Sequence, residues 1–146
     1  MNDKTRPGSV ELSDWGLLLM RIGLGIMFIW HGYGKMFGGP EMWKSLGMAM
    51  SAWGITFAPV FWGFMASFAE FFGGIFLLLG LAFRPYCVLL VINMAVAASM
   101  HLAKGQGLSV ASHAVELGIV FLGLALIGSG RLSLDALCCG GRVNPR

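Results

Sequence analysis

The residues of this sequence that could do chemistry are ionisable side chains placed inside long apolar runs. The run over residues 61–81, FWGFMASFAEFFGGIFLLLGL, is apolar except for Ser67 and Glu70. It is long enough to cross a bilayer as a helix. A charge at the bilayer centre costs roughly 2.5–3.5 kcal/mol on insertion scales, and charges that occur there commonly serve a function. Glu70 is therefore a candidate catalytic residue, and it needs a partner.

The first candidate partner is Arg21, which interrupts the first apolar run of the chain. Because a buried charge usually has a compensating one, we predict an Arg21–Glu70 ion pair across two helices. Such a pair has two interpretations at this point: it contributes to a functional site, or it only fixes the register of the helices.

A second group of ionisable residues lies toward the other side of the membrane. His31 and Lys35 end the first run, His101 ends the third, and His113 and Glu116 share one face at the head of the fourth. All three histidines of the chain thus fall on one side. An imidazole, with a reference pKa of about 6.5, gives and takes protons near neutrality.

These residues predict a pocket for a flat apolar ring such as a quinone. His31, His101 and Glu116 would bind the ring oxygens and move protons, and Lys35 or Arg21 would stabilise developing negative charge. His113 is a further candidate for substrate binding. The predicted apolar walls of the pocket are Phe28, Trp30, Phe64, Phe68 and Met94.

Other interpretations of the same residues stay open. Each histidine could be only an interfacial polar residue. Metal binding by the three histidines and Glu116 has acceptable ligand types but no tight spacing, so no metal is assigned. A b-type haem between His31 and His101 is disfavoured because both lie at helix ends. No haem-attachment motif, dinucleotide loop or cysteine cluster is visible, so the cofactor stays unknown.

The composition of the chain supports a membrane setting. Of 146 residues, 57% are hydrophobic and only 12% are charged. A soluble domain carries about 25% charged residues. The net charge of +3 is mild, and no basic block suggests nucleic-acid binding. We therefore expect one membrane domain in contact with the lipid bilayer.

The apolar runs predict an all-α, integral membrane four-helix bundle with a short interfacial helix between spans 1 and 2. The expected spans are 15–33, 60–81, 86–101 and 112–127, within a membrane domain of residues 15–130. Residues 1–14 and 131–146 are expected as tails, the first of them loose.

The charges predict the orientation. Both tails and the Arg84 turn share one side, which holds six Lys and Arg residues, whereas the other side holds Lys35, Lys44 and Lys104. The positive-inside rule then places both termini in the cytoplasm. Reducing conditions there would keep Cys138 and Cys139 as thiols, and their role is not assigned.

Several segments together resemble the DoxX family of small bacterial membrane proteins. They are RIGLGIMFIWHGYGK (21–35), AEFFGGIFLLLGLAFR (69–84), His101, Glu116 and GSGRLSLD (128–135). The resemblance covers about residues 15–135. It implies a four-helix bundle in the bacterial inner (plasma) membrane. It also implies an association with redox work, since the family takes its name from a subunit linked to thiosulfate:quinone oxidoreductase and a terminal quinol oxidase.

Three function classes follow. The first is a redox subunit that acts on or with membrane quinones; the family resemblance implies that it could belong to an oxidoreductase. The second is a non-catalytic scaffold for a partner oxidoreductase, favoured by the short loops. The third is a proton-conducting or transport protein; four short helices without an inverted repeat argue against a transporter, although a homo-oligomer could form a pore.

Overall fold

The computed structural model describes residues 10–138, which form helices and loops without a strand. The helices are α1 (Leu12–Met36), α2 (Gly39–Gly47), a 3₁₀ helix (Met48–Trp53), α3 (Pro59–Leu79), α4 (Phe83–Ala103), α5 (Leu108–Ile127) and α6 (Leu134–Cys138). By length and composition, α1, α3, α4 and α5 can each cross a membrane. The predicted fold class, including the short helix between the first two spans, is confirmed.

The contact between α1 and α3 depends on glycines that bring the two backbones together. A Cβ atom built on Gly32 would lie 2.5 Å from the backbone nitrogen of Phe71, and one on Gly25 would lie 2.9 Å from the carbonyl oxygen of Gly74. Close approach of this kind is typical of membrane helices, which pack through small residues. The two contacts fix an antiparallel register in which Gly32 lies beside Glu70 and Phe71.

Helix α2 continues along α3 beyond the end of α1. After the break at Phe37 and Gly38, a Cβ on Gly63 would overlap the carbonyl of Trp43, and one on Gly47 would overlap that of Pro59. The indole nitrogen of Trp43 donates to the Lys35 carbonyl oxygen at 3.0 Å, near the end of α1. The broken helix α1–α2 therefore runs antiparallel to the whole of α3.

The core lies where α1, α3, α4 and α5 meet, and its buried members include Leu77, Leu90 and Met94. Phe28 and Phe121 form an edge-to-face pair with ring centroids 4.9 Å apart, so α1 and α5 meet at this level. Edge-to-face geometry places the positive ring edge against the negative face of the other ring.

We call the end of the bundle that carries the α3–α4 turn the Arg84 end, and the end that carries the α4–α5 loop the Gly107 end. At the Arg84 end, the Asp135 carboxylate accepts the N–H groups of Ala82 and Phe83 at 2.9 and 3.0 Å, capping α4. The buried Asp14 carboxylate accepts the N–H of Arg131 at 3.0 Å. Segments near both chain ends thus close this end of the bundle.

The expectation of a loose tail up to residue 14 is wrong at its inner end, because α1 begins at Leu12 and Asp14 is buried. Asp14 accepts the N–H of Glu11 at 3.1 Å, which closes a capping box at the start of α1, and it also accepts the N–H of Arg131, a long-range contact that composition does not reveal. Residues 1–9 and 139–146, including Cys139, lie outside the described part of the chain.

Candidate functional site

Glu70 lies in a polar cluster formed by three helices. Its carboxylate accepts hydrogen bonds from the Lys35 ammonium of α1, with Nζ 2.7 Å from Oε1 and 2.6 Å from Oε2. The Asn93 amide of α4 donates to Oε1 at 3.0 Å. The side chain of Glu70 is only 8% exposed, whereas that of Lys35 is 35% exposed. We call Lys35, Glu70 and Asn93 the polar cluster.

The polar cluster lies near the middle of the bundle along its axis. Glu70 follows Pro59 by eleven residues and precedes Leu79 by nine in α3. At ~1.5 Å per residue, these intervals are about 16 and 14 Å. If α3 crosses a bilayer, the ion pair sits close to the midplane. Pairing lowers the cost of placing both charges there.

The predicted Arg21–Glu70 pair is wrong. Arg21 is 2% exposed, and its guanidinium donates only to backbone carbonyl oxygens. These acceptors are Leu77 at 3.2 Å, Leu78 at 3.1 Å, Ser129 at 3.0 Å and Leu132 at 2.7 Å. Arg21 thereby joins the carbonyl end of α3 to the segment that follows α5.

The reason for the error is the register between α1 and α3. Leu77 is seven residues from Glu70, which is about 10 Å along a helix. The glycine contacts place Gly32 beside Glu70, and the cation nearest to Gly32 on α1 is Lys35. Lys35 was expected at a membrane face, yet the structure places it as the partner of Glu70 at mid-depth.

Asn93 was not predicted as a site residue. The available signal was an amide inside the apolar sequence VLLVINMAVAAS of α4. A polar side chain in such a run needs a hydrogen-bond partner, and helix–helix hydrogen bonds are common in membrane bundles. Glu70 is that partner.

The structure does not gather the three histidines with Glu116. His31 is exposed on α1, and His113 and Glu116 are exposed on α5. His101 is half-buried near the Gly107 end, with Nδ1 2.5 Å from Oε1 of Gln106. Among residues 10–138, no three His, Cys, Asp or Glu side chains are grouped so that they could hold a metal ion.

The predicted pocket walls also separate. Phe28 and Met94 are buried in the core, whereas Trp30 is 77% exposed on the outer face of α1. Phe64 and Phe68 belong to a row of rings that starts at Trp43, with centroids 5.0 and 6.3 Å apart. These five side chains therefore do not line one pocket.

Comparison with known proteins gives one match. The family model described as DoxX matches residues 16–103, which is more than half of the chain. The matched range includes α1 from its fifth residue onward, α2 to α4 and all three members of the polar cluster, but not α5. No curated protein and no solved structure matches the chain.

Proposed function

The chain belongs to the DoxX family and is a multi-pass membrane protein, and from this premise we propose that it is a redox subunit that works with membrane quinones. The observation that carries the proposal is the mid-depth ion pair of Lys35 and Glu70. The polar cluster then replaces the separated histidines as the site at which protons are handled.

The chemistry of the cluster suits a quinone oxygen. Conversion of a quinone to a quinol adds two electrons to the conjugated ring and one proton to each of the two ring oxygens. The oxygen that does not face Lys35 takes its proton from water at the membrane surface. In this proposal the electrons come from a partner oxidoreductase. The Lys35 ammonium donates a hydrogen bond to a ring oxygen and, as that oxygen gains an electron, a proton. A proton from water then restores the ammonium.

The roles of the three side chains differ. Lys35 keeps about a third of its side chain exposed, whereas Glu70 is nearly buried, so Lys35 is the member of the ion pair that lies nearer the bundle surface. Glu70 accepts from the Lys35 ammonium through both carboxylate oxygens, so each charge has its counter-ion inside the bundle. Asn93 fixes the carboxylate from the other side at 3.0 Å.

The test measures binding of a short-chain ubiquinone analogue to the purified protein in lipid nanodiscs. Quenching of tryptophan fluorescence reports the binding. The double variant Lys35→Met/Glu70→Gln is expected to bind at least about tenfold more weakly, since a hydrogen bond to a charged group is worth roughly 1.5–3 kcal/mol. Lys44→Met, which removes an exposed lysine of α2, is the matched control and is expected to bind normally. Equal affinity of wild type and the double variant would contradict the proposal.

A non-catalytic scaffold is the second candidate. The observation that favours it is that both oxygens of Glu70 already have donors within the chain. The reversed pair Lys35→Glu/Glu70→Lys distinguishes the scaffold from the quinone site. A structural lock accepts the reversal, so both folding and co-purification with a partner are retained. A quinone site loses ligand affinity, because a carboxylate then faces the ring oxygen.

We also propose a bacterial inner-membrane location with the Arg84 end on the cytoplasmic side. The positive-inside rule supports this orientation. Because Lys35 pairs with Glu70 inside the bundle, it no longer counts toward the Gly107 end, which keeps Lys44 and Lys104. The sequence assigns six Lys and Arg residues to the Arg84 end, so the difference in positive charge between the two ends is larger than the sequence alone indicated.

A further inference from the structure

Glu116 is an acidic residue with an unusual position on the outside of the bundle. It is the ninth residue of the 20-residue helix α5, about 12 Å from the helix start, and its side chain is exposed. Its side chain forms no hydrogen bond or ion pair with any residue of the described range 10–138. A carboxylate facing lipid at this depth costs several kcal/mol, so it requires a partner from outside the chain.

His31 lies at nearly the same depth on the neighbouring helix. The Phe28–Phe121 contact sets the level of α1 against α5. From that level, His31 lies three residues toward the Gly107 end and Glu116 lies five residues toward it, which is about 4.5 and 7.5 Å. His31 is also exposed and has no partner within the described part of the chain.

Both side chains border the same side of the bundle. On α1, the ring of Phe28 contacts α5, and His31 lies one turn further along the same helix. Helical spacing places His31 on the face of α1 next to that of Phe28. On α5, Glu116 is one turn from Val120, which packs at the edge of the core. The surface between them is therefore the α1–α5 flank of the bundle. Gly34, on the same helix as His31, has nothing within 4 Å of a built Cβ, so another helix can approach closely there.

We propose that the α1–α5 flank is a homodimer interface, in which His31 of each copy pairs with Glu116 of the other. A two-fold axis along the membrane normal keeps equal depths together and places each residue against its complement twice. The imidazole, as donor or as cation, satisfies the carboxylate, and the apolar faces of α1 and α5 surround both pairs. The occupant is a second copy because this chain itself presents both members of the pair. This inference is independent of the proposed quinone function.

The first test is cross-linking in native-like membranes. His31→Cys and Glu116→Cys are placed on separate, differently tagged chains in which Cys87, Cys138 and Cys139 have been replaced. We expect a mixed disulfide dimer after oxidation and no cross-link from His31→Cys alone. Val115→Cys is the matched control: it is exposed, it lies at the same depth and it is about 100° around α5. Its mixture with His31→Cys is expected to give no disulfide-linked dimer. An equal yield with Val115→Cys, or no yield with Glu116→Cys, would overturn the proposal.

The second test measures the dimerisation constant in lipid vesicles by energy transfer between labelled chains. Glu116→Gln is expected to weaken dimerisation by about tenfold, in the range of helix–helix polar contacts in membranes. The exchange His31→Glu/Glu116→His restores the pair and is expected to restore the affinity, which a mere loss of folding would not do. Wild-type protein that remains monomeric at high protein-to-lipid ratio would refute the interface and assign the flank to lipid or to a different membrane protein.

Discussion

At the scale of residues, the two cations of α1 that lie inside the bundle, Arg21 buried and Lys35 half-buried, are stabilised in different ways. Arg21 donates to four backbone carbonyl oxygens, two in the last turn of α3 and two in the segment that follows α5. Lys35 instead meets a full negative charge on Glu70. The planar guanidinium can serve several acceptors at once, whereas the compact ammonium suits one carboxylate. Arg21 therefore has a structural role, since it joins α3 to the segment after α5. Lys35 is the cation that we propose takes part in proton transfer.

The coupling between Lys35 and Glu70 can be measured by a double-mutant cycle. Lys35→Met leaves the Glu70 carboxylate with only Asn93, and we expect a loss of about 2–3 kcal/mol in the free energy of unfolding. This is less than for a fully buried pair, because Lys35 is partly exposed. The double variant Lys35→Met/Glu70→Leu is expected to be more stable than Lys35→Met. Denaturant unfolding in mixed micelles checks this, and additive losses would contradict the pairing.

At the scale of elements, the glycines of α1 divide into two functions. Gly32 faces α3, and Gly34 faces open space. Gly32→Ala forces the α1 and α3 backbones apart, so we expect a loss of about 2 kcal/mol, typical of overpacking. Gly34→Ala has room for its methyl group within a single copy of the chain, so we expect no loss when unfolding is measured at detergent dilutions that keep the protein monomeric. Equal effects of the two substitutions on the unfolding midpoint would show that α1 does not pack in this register.

The cap supplied by Asp135 joins the last described helix to α4. Asp135→Ala removes the acceptor for the N–H groups of Ala82 and Phe83, so we expect a loss of about 1 kcal/mol, as for other N-terminal caps. Asp135→Asn keeps one acceptor oxygen and is expected to lose less. The unfolding free energy checks both, and a neutral Asp135→Ala would exclude a stabilising cap.

The same elements explain how far the sequence could predict the structure. Apolar length was sufficient for the four spans, because each membrane helix must satisfy its own backbone groups. The partner of Glu70 required the register of α1 on α3, which depends on which glycine of α1 meets which residue of α3. Gly25 and Gly32 compete with Gly23 and Gly34 for that face, and spacing alone does not choose between them. The sequence was therefore sufficient to single out Glu70, but not to choose Lys35 over Arg21 as its partner on α1.

At the scale of the whole molecule, α3 is the axis around which the other helices are arranged. The broken helix α1–α2 covers one side of α3, and α4 covers another. Within residues 10–138, α5 makes its long contact with α4, whereas α1 and α5 meet at the Phe28–Phe121 pair. The α1–α5 flank is consequently the side of the bundle where packing of an additional helix would bury the most surface that the chain leaves uncovered.

The orientation of the whole bundle gives a last prediction. Cys138 is exposed at the Arg84 end, and Ser109 is exposed in the first turn of α5 at the Gly107 end. We compare Cys138 as the single cysteine with Ser109→Cys as the single cysteine, using a maleimide that does not cross membranes. The positive-inside rule places Cys138 in the cytoplasm, so only Ser109→Cys is expected to react from the periplasmic side of intact cells. Cys138 is expected to react after the membrane is opened. The reverse pattern would mean that the Lys and Arg residues near the chain ends do not set the topology.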